Sequence, residues 1–201
     1  MPIREAAADR ESMEELHRGL LDAFGDGLQL TVGTRALEDS EVGLDREPLR
    51  PHPVYTAALT DVAAGKTLTS AWCIGWRVFV SKEAGAGRAA EVYWDEAAAV
   101  HVFGGVTEGG FVRETLDAIG KLERREEVRQ GDYELRVLRI PGLSVYAVWL
   151  RSRSGADDLV MPLGPTFESL ESGEVISGGD FDHALRKPAA AVLAFEACDE
   201  P

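Results

Sequence analysis

From Ser70 to Ser81 the residues alternate. Trp72, Ile74, Trp76, Val78 and Val80 fall on one side, and Ala71, Cys73, Gly75, Arg77 and Phe79 on the other. A period of two sustained over that length predicts a strand. A strand needs partners, and the neighbouring sequence offers them. Ala84 to Gly87 reads as a turn, Ala90 to Trp94 as the returning strand, and Ala99 to Phe103 as another. Further on, Tyr133, Leu135 and Val137 alternate with Glu134 and Arg136. Pro141-Gly142 then turns the chain into Ser144 to Leu150, and Asp158 to Leu163 reads as a third strand of that group. Val54 to Leu59 is a short apolar segment ahead of both groups, followed by one helical turn that Gly65 ends.

Helical spacing appears three times. Met13, Leu16, Leu20 and Phe24 follow Ser12 and Glu15, which together match a capping box, and Gly25 and Gly27 supply the stop. Val112, Leu116, Ile119 and Leu122 align after Thr107, a residue type that caps helices. Asp180 caps a last helix through Phe181 and Leu185, with Pro188 either kinking it or opening a second. Thr34 to Pro53 has neither period and reads as a polar loop or arm.

Strands in hairpin-like clusters between helices point to an α+β fold: a mostly antiparallel sheet with helices packed on one face, as a single domain over residues 1–201. At 201 residues the chain needs no disulfide or metal to fold. Two cysteines cannot make a multi-bridge framework, and no apolar run approaches the length of a membrane span, so a reducing, cytoplasmic setting is expected. Arg far outnumbers Lys and Asn is absent, a composition associated with bacterial GC-rich genomes.

The net charge of -14 is concentrated at the ends. Residues 1–50 hold twelve acids and six bases, residues 156–201 ten and two, and the middle balances. Acidic ends repel phosphate backbones and anionic lipid headgroups, so neither direct nucleic-acid binding nor membrane binding is expected.

The chemistry-bearing residues are sparse. His17, His52, His101 and His183 lie on separate elements without metal-ligand spacing, and no metal or cofactor is expected. Cys73 lies among Trp72, Ile74 and Trp76 with no basic neighbour, as a small buried hydrophobe would. Ser144 and Ser154 lack the G-x-S-x-G setting of a nucleophile. Gly104, Gly105, Gly109 and Gly110 lie between a strand and a helix, where phosphate-cradling loops occur, but they match no phosphate-loop pattern. Asp157-Asp158 and Asp180 with Asp182 do not form a Ca²⁺ loop.

Aromatic residues stand out instead. Trp76, Tyr93, Trp94, Tyr146 and Trp149 lie on expected strands, and Arg77 or Arg136 could anchor a polar group beside them. Strand neighbours point to opposite faces, so Tyr93 and Trp94 cannot both be core unless both faces are covered. Two readings follow. The first is a non-enzymatic interaction or assembly protein, acting on a protein partner or on itself through exposed aromatics or a sheet edge. The alternative is a small-molecule-binding or hydrolytic domain with an aromatic-lined pocket. A third, mimicry of nucleic-acid phosphates, has only the net charge behind it.

Overall fold

The alternating run around Trp76 forms the longest strand among the described residues, which in this computed structural model are 3–4, 6–24, 51–81, 88–164 and 170–199. In chain order the elements are β1 (Ile3–Arg4), α1 (Arg10–Phe24), β2 (His52–Thr56), α2 (Leu59–Ala63), α3 (Thr67–Ser70) and β3 (Trp72–Ser81). Then come β4 (Arg88–Asp95), β5 (Val100–Glu108), α4 (Gly110–Glu123), α5 (Glu126–Gln130) and β6 (Tyr133–Ile140). A 3-10 turn (Pro141–Leu143) leads to β7 (Val145–Ser152), β8 (Leu159–Leu163), β9 (Ile176–Ser177) and α6 (Gly178–Asp199). The expected turn at 84–87, the glycine stop after α1 and most of the expected polar arm fall outside the described residues. His52 and Pro53, at the end of that arm, belong to β2.

One sheet runs β5-β4-β3-β2-β6-β7-β8-β9. Its pairs are antiparallel except where β2 and β1 lie parallel to β6. Two antiparallel groups, β3 to β5 and β6 to β9, therefore meet at β2, whose parallel join to β6 covers only Val54 to Thr56.

The fold is α+β with a mostly antiparallel sheet, as expected. The helices, expected on one face, divide between both. Leu135 of β6 and Val148 and Leu150 of β7 pack with Val112, Ile119 and Leu122 of α4. Their chain neighbours Leu138, Ala147 and Trp149 pack with Phe181, Leu185 and Ala189 of α6. On that second face, Trp76, Val78, Ala90 and Val92 are covered by Met13, Leu16 and Leu20 of α1. A strand buried on both sides carries apolar residues at consecutive positions, and the run Ala147-Val148-Trp149-Leu150 is such a strand.

Both long terminal helices begin one turn earlier than their expected caps. Asp9 caps α1: its carboxylate accepts from the Ser12 amide at 2.8 Å and the Ser12 hydroxyl at 2.7 Å. Ser177 does the same for α6, accepting from the Asp180 amide at 3.1 Å and donating to the Asp180 carboxylate at 2.8 Å. Ser12 and Asp180 are thus third helical residues, each tied to its cap through its own amide and side chain. Pro188 lies within α6, which continues past it as one helix of 22 residues. Among the described residues no helix is long and apolar enough to cross a membrane.

Burial raises the Asp9 pKa, but the Ser12 hydrogen bonds and nearby His101 outweigh it and hold the carboxyl below its ordinary value. A carboxyl with a depressed folded pKa stabilises the fold above its unfolded value, here 3.8, and loses that contribution as pH falls through the folded value. Asp9→Ala should therefore cost about 1 kcal/mol near neutral pH. In urea unfolding the deficit should fade between about pH 5 and pH 2, and Asp9→Ser, which keeps the cap, should remove most of it.

Candidate functional site

Arg77 occupies the centre of β3, on the face that α4 covers, where its side chain is 1% exposed. A guanidinium stays charged at any pH a protein survives and must be compensated in place. The sheet register supplies the compensation, because Arg77 pairs directly with Glu91 on β4. Arg77 donates from Nε and Nη2 to Glu91 Oε1. Arg139 of β6 donates from Nη2 to the same oxygen, and from Nη1 to the Tyr93 hydroxyl at 2.8 Å.

Two guanidiniums on one carboxylate leave one surplus positive charge. Two buried N–H groups also remain unpaired: Arg77 Nη1 and Arg139 Nε have no hydrogen-bond partner among the described residues. Burial pushes the Arg77 pKa below its ordinary value and Arg139 adds to the fall, while Glu91 opposes both.

Aromatic rings set the orientation of these charges. The Arg77 guanidinium lies 4.7 Å from the centre of the Phe111 ring, and that of Arg139 lies 5.8 Å from the Tyr146 ring. Phe111 and Tyr146 meet edge to face at 4.8 Å between centroids. Such stacking fixes a guanidinium plane while leaving its edge free to donate. The Tyr93 ring rests against Gly104 of β5, in the space that a Cβ there would occupy.

These groups surround a cavity of about 520 Å³, within the usual range for small-ligand sites. Arg77, Glu91, Tyr93, Arg139 and Tyr146 line it from the sheet. Thr107, Phe111 and Gly164 line it from the start of α4 and the end of β8. Between Thr107 and Phe111, Gly109 is the N-cap of α4 with φ of 121°, a conformation that other residues rarely adopt, and no side chain caps the helix. The positive end of the α4 dipole thus borders a cavity that already holds surplus positive charge.

The structure brings together three of the six residues singled out from sequence, Arg77, Tyr93 and Tyr146, and separates the other three. Trp76 is buried beneath α1 and Trp149 beneath α6, both on the opposite face. Trp94 is 44% exposed and stacks edge-on against His101. Arg136, the other expected anchor, lies on that same opposite face, 4.5 Å from the Tyr55 ring and 4.7 Å from that of Trp149, and donates to Glu134.

Two expectations are corrected. Cys73, expected to be buried, is exposed, because a register shift between Val54 and Tyr55 turns this end of β3. Its thiol is still partly covered, and that burial pushes its pKa up. Thr107 is not a helix cap but a residue of β5 on the cavity wall.

Glu91, Arg139 and Phe111 escaped the sequence reading. Glu91 shares its strand face with Tyr93, which alternation alone reveals, but its pairing with Arg77 depends on register. Among the described residues no group of His, Cys, Asp and Glu is placed to hold a metal ion. Comparison with protein-family models, with curated proteins and with solved structures gives no match.

Glu91→Gln would leave two guanidiniums in the sheet without a counter-charge. It should lower unfolding stability by about 3–5 kcal/mol, the range for breaking a buried pair from one side. Replacing the exposed Glu96 by Gln in the same denaturation series should change almost nothing.

Proposed function

We propose that the protein binds a small molecule in the cavity between its sheet and α4. One observation carries this reading. Two arginines and two tyrosines from four strands converge on one cavity. A few convergent polar groups in an aromatic-walled cavity are the usual mark of a small-ligand site. The aromatic walls add the apolar surface that ligand pockets commonly have. The reading assigns binding to the cavity, not turnover.

A ligand that binds only the folded state raises the unfolding temperature by mass action. Members of a fragment set should therefore raise the thermal midpoint of the wild-type protein. Thr107→Trp should abolish those shifts by filling the cavity. Thr107 lies on the cavity wall and is exposed, so a larger side chain there does not force the core. Shifts that persist in the variant would place binding elsewhere, and an absence of shifts in the wild type would remove the reading.

A second reading, self-association through the β5 edge, rests on a different observation. Trp94, Val100 and Val102 are all between 44% and 49% exposed on the last two strands of the sheet, and β5 has an open edge among the described residues. Unpaired edges with apolar neighbours favour strand-to-strand association. Trp94→Ser should cost little stability but shift sedimentation toward the smaller species. Tyr93→Ser removes a ring and the Arg139 partner together and should cost roughly 2 kcal/mol or more. Unchanged sedimentation for Trp94→Ser would end this reading.

We further read the chain as a cytoplasmic bacterial protein that makes no direct contact with nucleic acid. The support is its composition: two cysteines, a strong preference for Arg over Lys, and a net charge of -14 weighted to both ends.

A further inference from the structure

Resting on the cavity-binding reading, we propose that Gly104 sets the width of the cavity, and with it the size of ligand admitted, by positioning the Tyr93 ring as the outer wall. Gly104 and Tyr93 both line the cavity. A Cβ on Gly104 would lie 2.6 Å from Tyr93 Cδ2 and closer still to Cε2, well inside contact distance. Its other near neighbour, the Glu91 carbonyl oxygen at 3.5 Å, is an ordinary contact. The φ of Gly104 also lies outside the left-handed range that Gly105, at 103°, and Gly109, at 121°, occupy. The backbone at 104 therefore accepts a side chain, and it is the ring that requires glycine.

The sheet explains how this contact arises. Glu91 pairs with Gly105 and Val92 with Phe103, so Gly104 is the extra residue of a β-bulge. The bulge brings the β5 backbone up against the ring of Tyr93, whose own partner across the strands is Val102. The Tyr93 hydroxyl meanwhile accepts from Arg139 Nη1 at 2.8 Å. The ring is thus held between the β5 backbone and a guanidinium from β6. β5 ends the sheet, and the lining residues Arg77, Arg139 and Tyr146 stand on β3, β6 and β7, all on the far side of Tyr93 from it. A side chain at 104 pushes the ring toward them, across the cavity. Glycine lets the ring stand back against β5 and leaves the cavity at its full width.

The test has two arms. In urea unfolding, Gly104→Ala should raise the unfolding equilibrium constant about 5- to 30-fold, as overpacking does. In a Tyr93→Ser background the same substitution should change it by less than about twofold, since the ring it meets is gone. Binding is read by calorimetric titration with phenol, indole and 2-naphthol, three neutral probes of increasing size. Gly104→Ala should weaken 2-naphthol by at least about tenfold, the discrimination a pocket gains from one methylene of bulk, and phenol by less than about threefold. The double variant should bind 2-naphthol as tightly as Tyr93→Ser alone, a recovery that a purely structural defect at 104 would not give.

Equal losses of stability in both backgrounds would show that the backbone requires glycine, and would overturn the proposal. So would 2-naphthol binding that Gly104→Ala weakens no more than it weakens phenol, or a double variant that binds 2-naphthol at least about tenfold more weakly than Tyr93→Ser. Binding that Thr107→Trp leaves unchanged would place the probes outside the cavity and overturn it too. No binding of any probe would overturn the width role, and cavity binding falls with it only if the fragment set also fails to stabilise the wild-type protein.

Discussion

Glu91 Oε1 receives hydrogen bonds from two arginines that the chain brings from opposite sides of the β2 seam. At that seam β2 is joined to β6 through only three residue pairs, and Phe79 and Ala89 of the first group share a core with Leu135 and Val148 of the second. Arg139, on β6, reaches across β2 and β3 to Glu91 and Tyr93 on β4, 48 and 46 residues away in sequence. The ion cluster therefore acts as a clamp between the halves as well as the floor of the cavity. Removing one charge from it affects both roles, because desolvated ions that lose a partner are expensive to keep.

The opposite face of the same sheet provides an internal comparison. Arg136 is also largely buried, but it lies near two rings, donates through Nε and Nη2 to Glu134 at 2.8 and 2.6 Å, and has no buried N–H left without a partner. The fold thus pairs every solvent-sealed nitrogen of Arg136. At Arg77 and Arg139 it does not, although both sit beside acceptors and rings of the same kinds. Arg136 is also the more exposed, at 11% of its side chain against 1% for Arg77, so water can serve what Glu134 leaves, whereas the unpaired nitrogen of Arg77 is sealed in.

Alternation and helical spacing revealed most elements of this fold, for a local reason: period and turn chemistry are properties of neighbouring residues. The α+β class and the two hairpin groups followed from them. The cap positions were misplaced by one turn at both terminal helices, and for the same reason each time. At each helix start two residues that both cap well lie three apart, Asp9 with Ser12 and Ser177 with Asp180. Sequence alone does not say which member comes first when each could hold the other's amide. Coverage of both faces was signalled by consecutive apolar residues in β7, a cue that competes with the plain alternation of Tyr133 to Val137 in the adjacent strand.

The candidate site was half legible because alternation fixes the face of a residue but not its cross-strand partner. Arg77, Tyr93 and Tyr146 could be picked out as unusual residues on strands. Placing them together required the register of β3 on β4 and of β6 on β7, and the contribution of Arg139 required the crossover at β2. The glycines between β5 and α4 teach a related lesson. As a motif they match no known phosphate loop, yet Gly109 starts a helix without a side-chain cap beside two incompletely paired guanidiniums. A sequence motif records one loop conformation that satisfies an anion from the backbone. Here the long side chains of the sheet bring two guanidiniums and a carboxylate to the helix end, so charge gathers there with no local pattern to announce it.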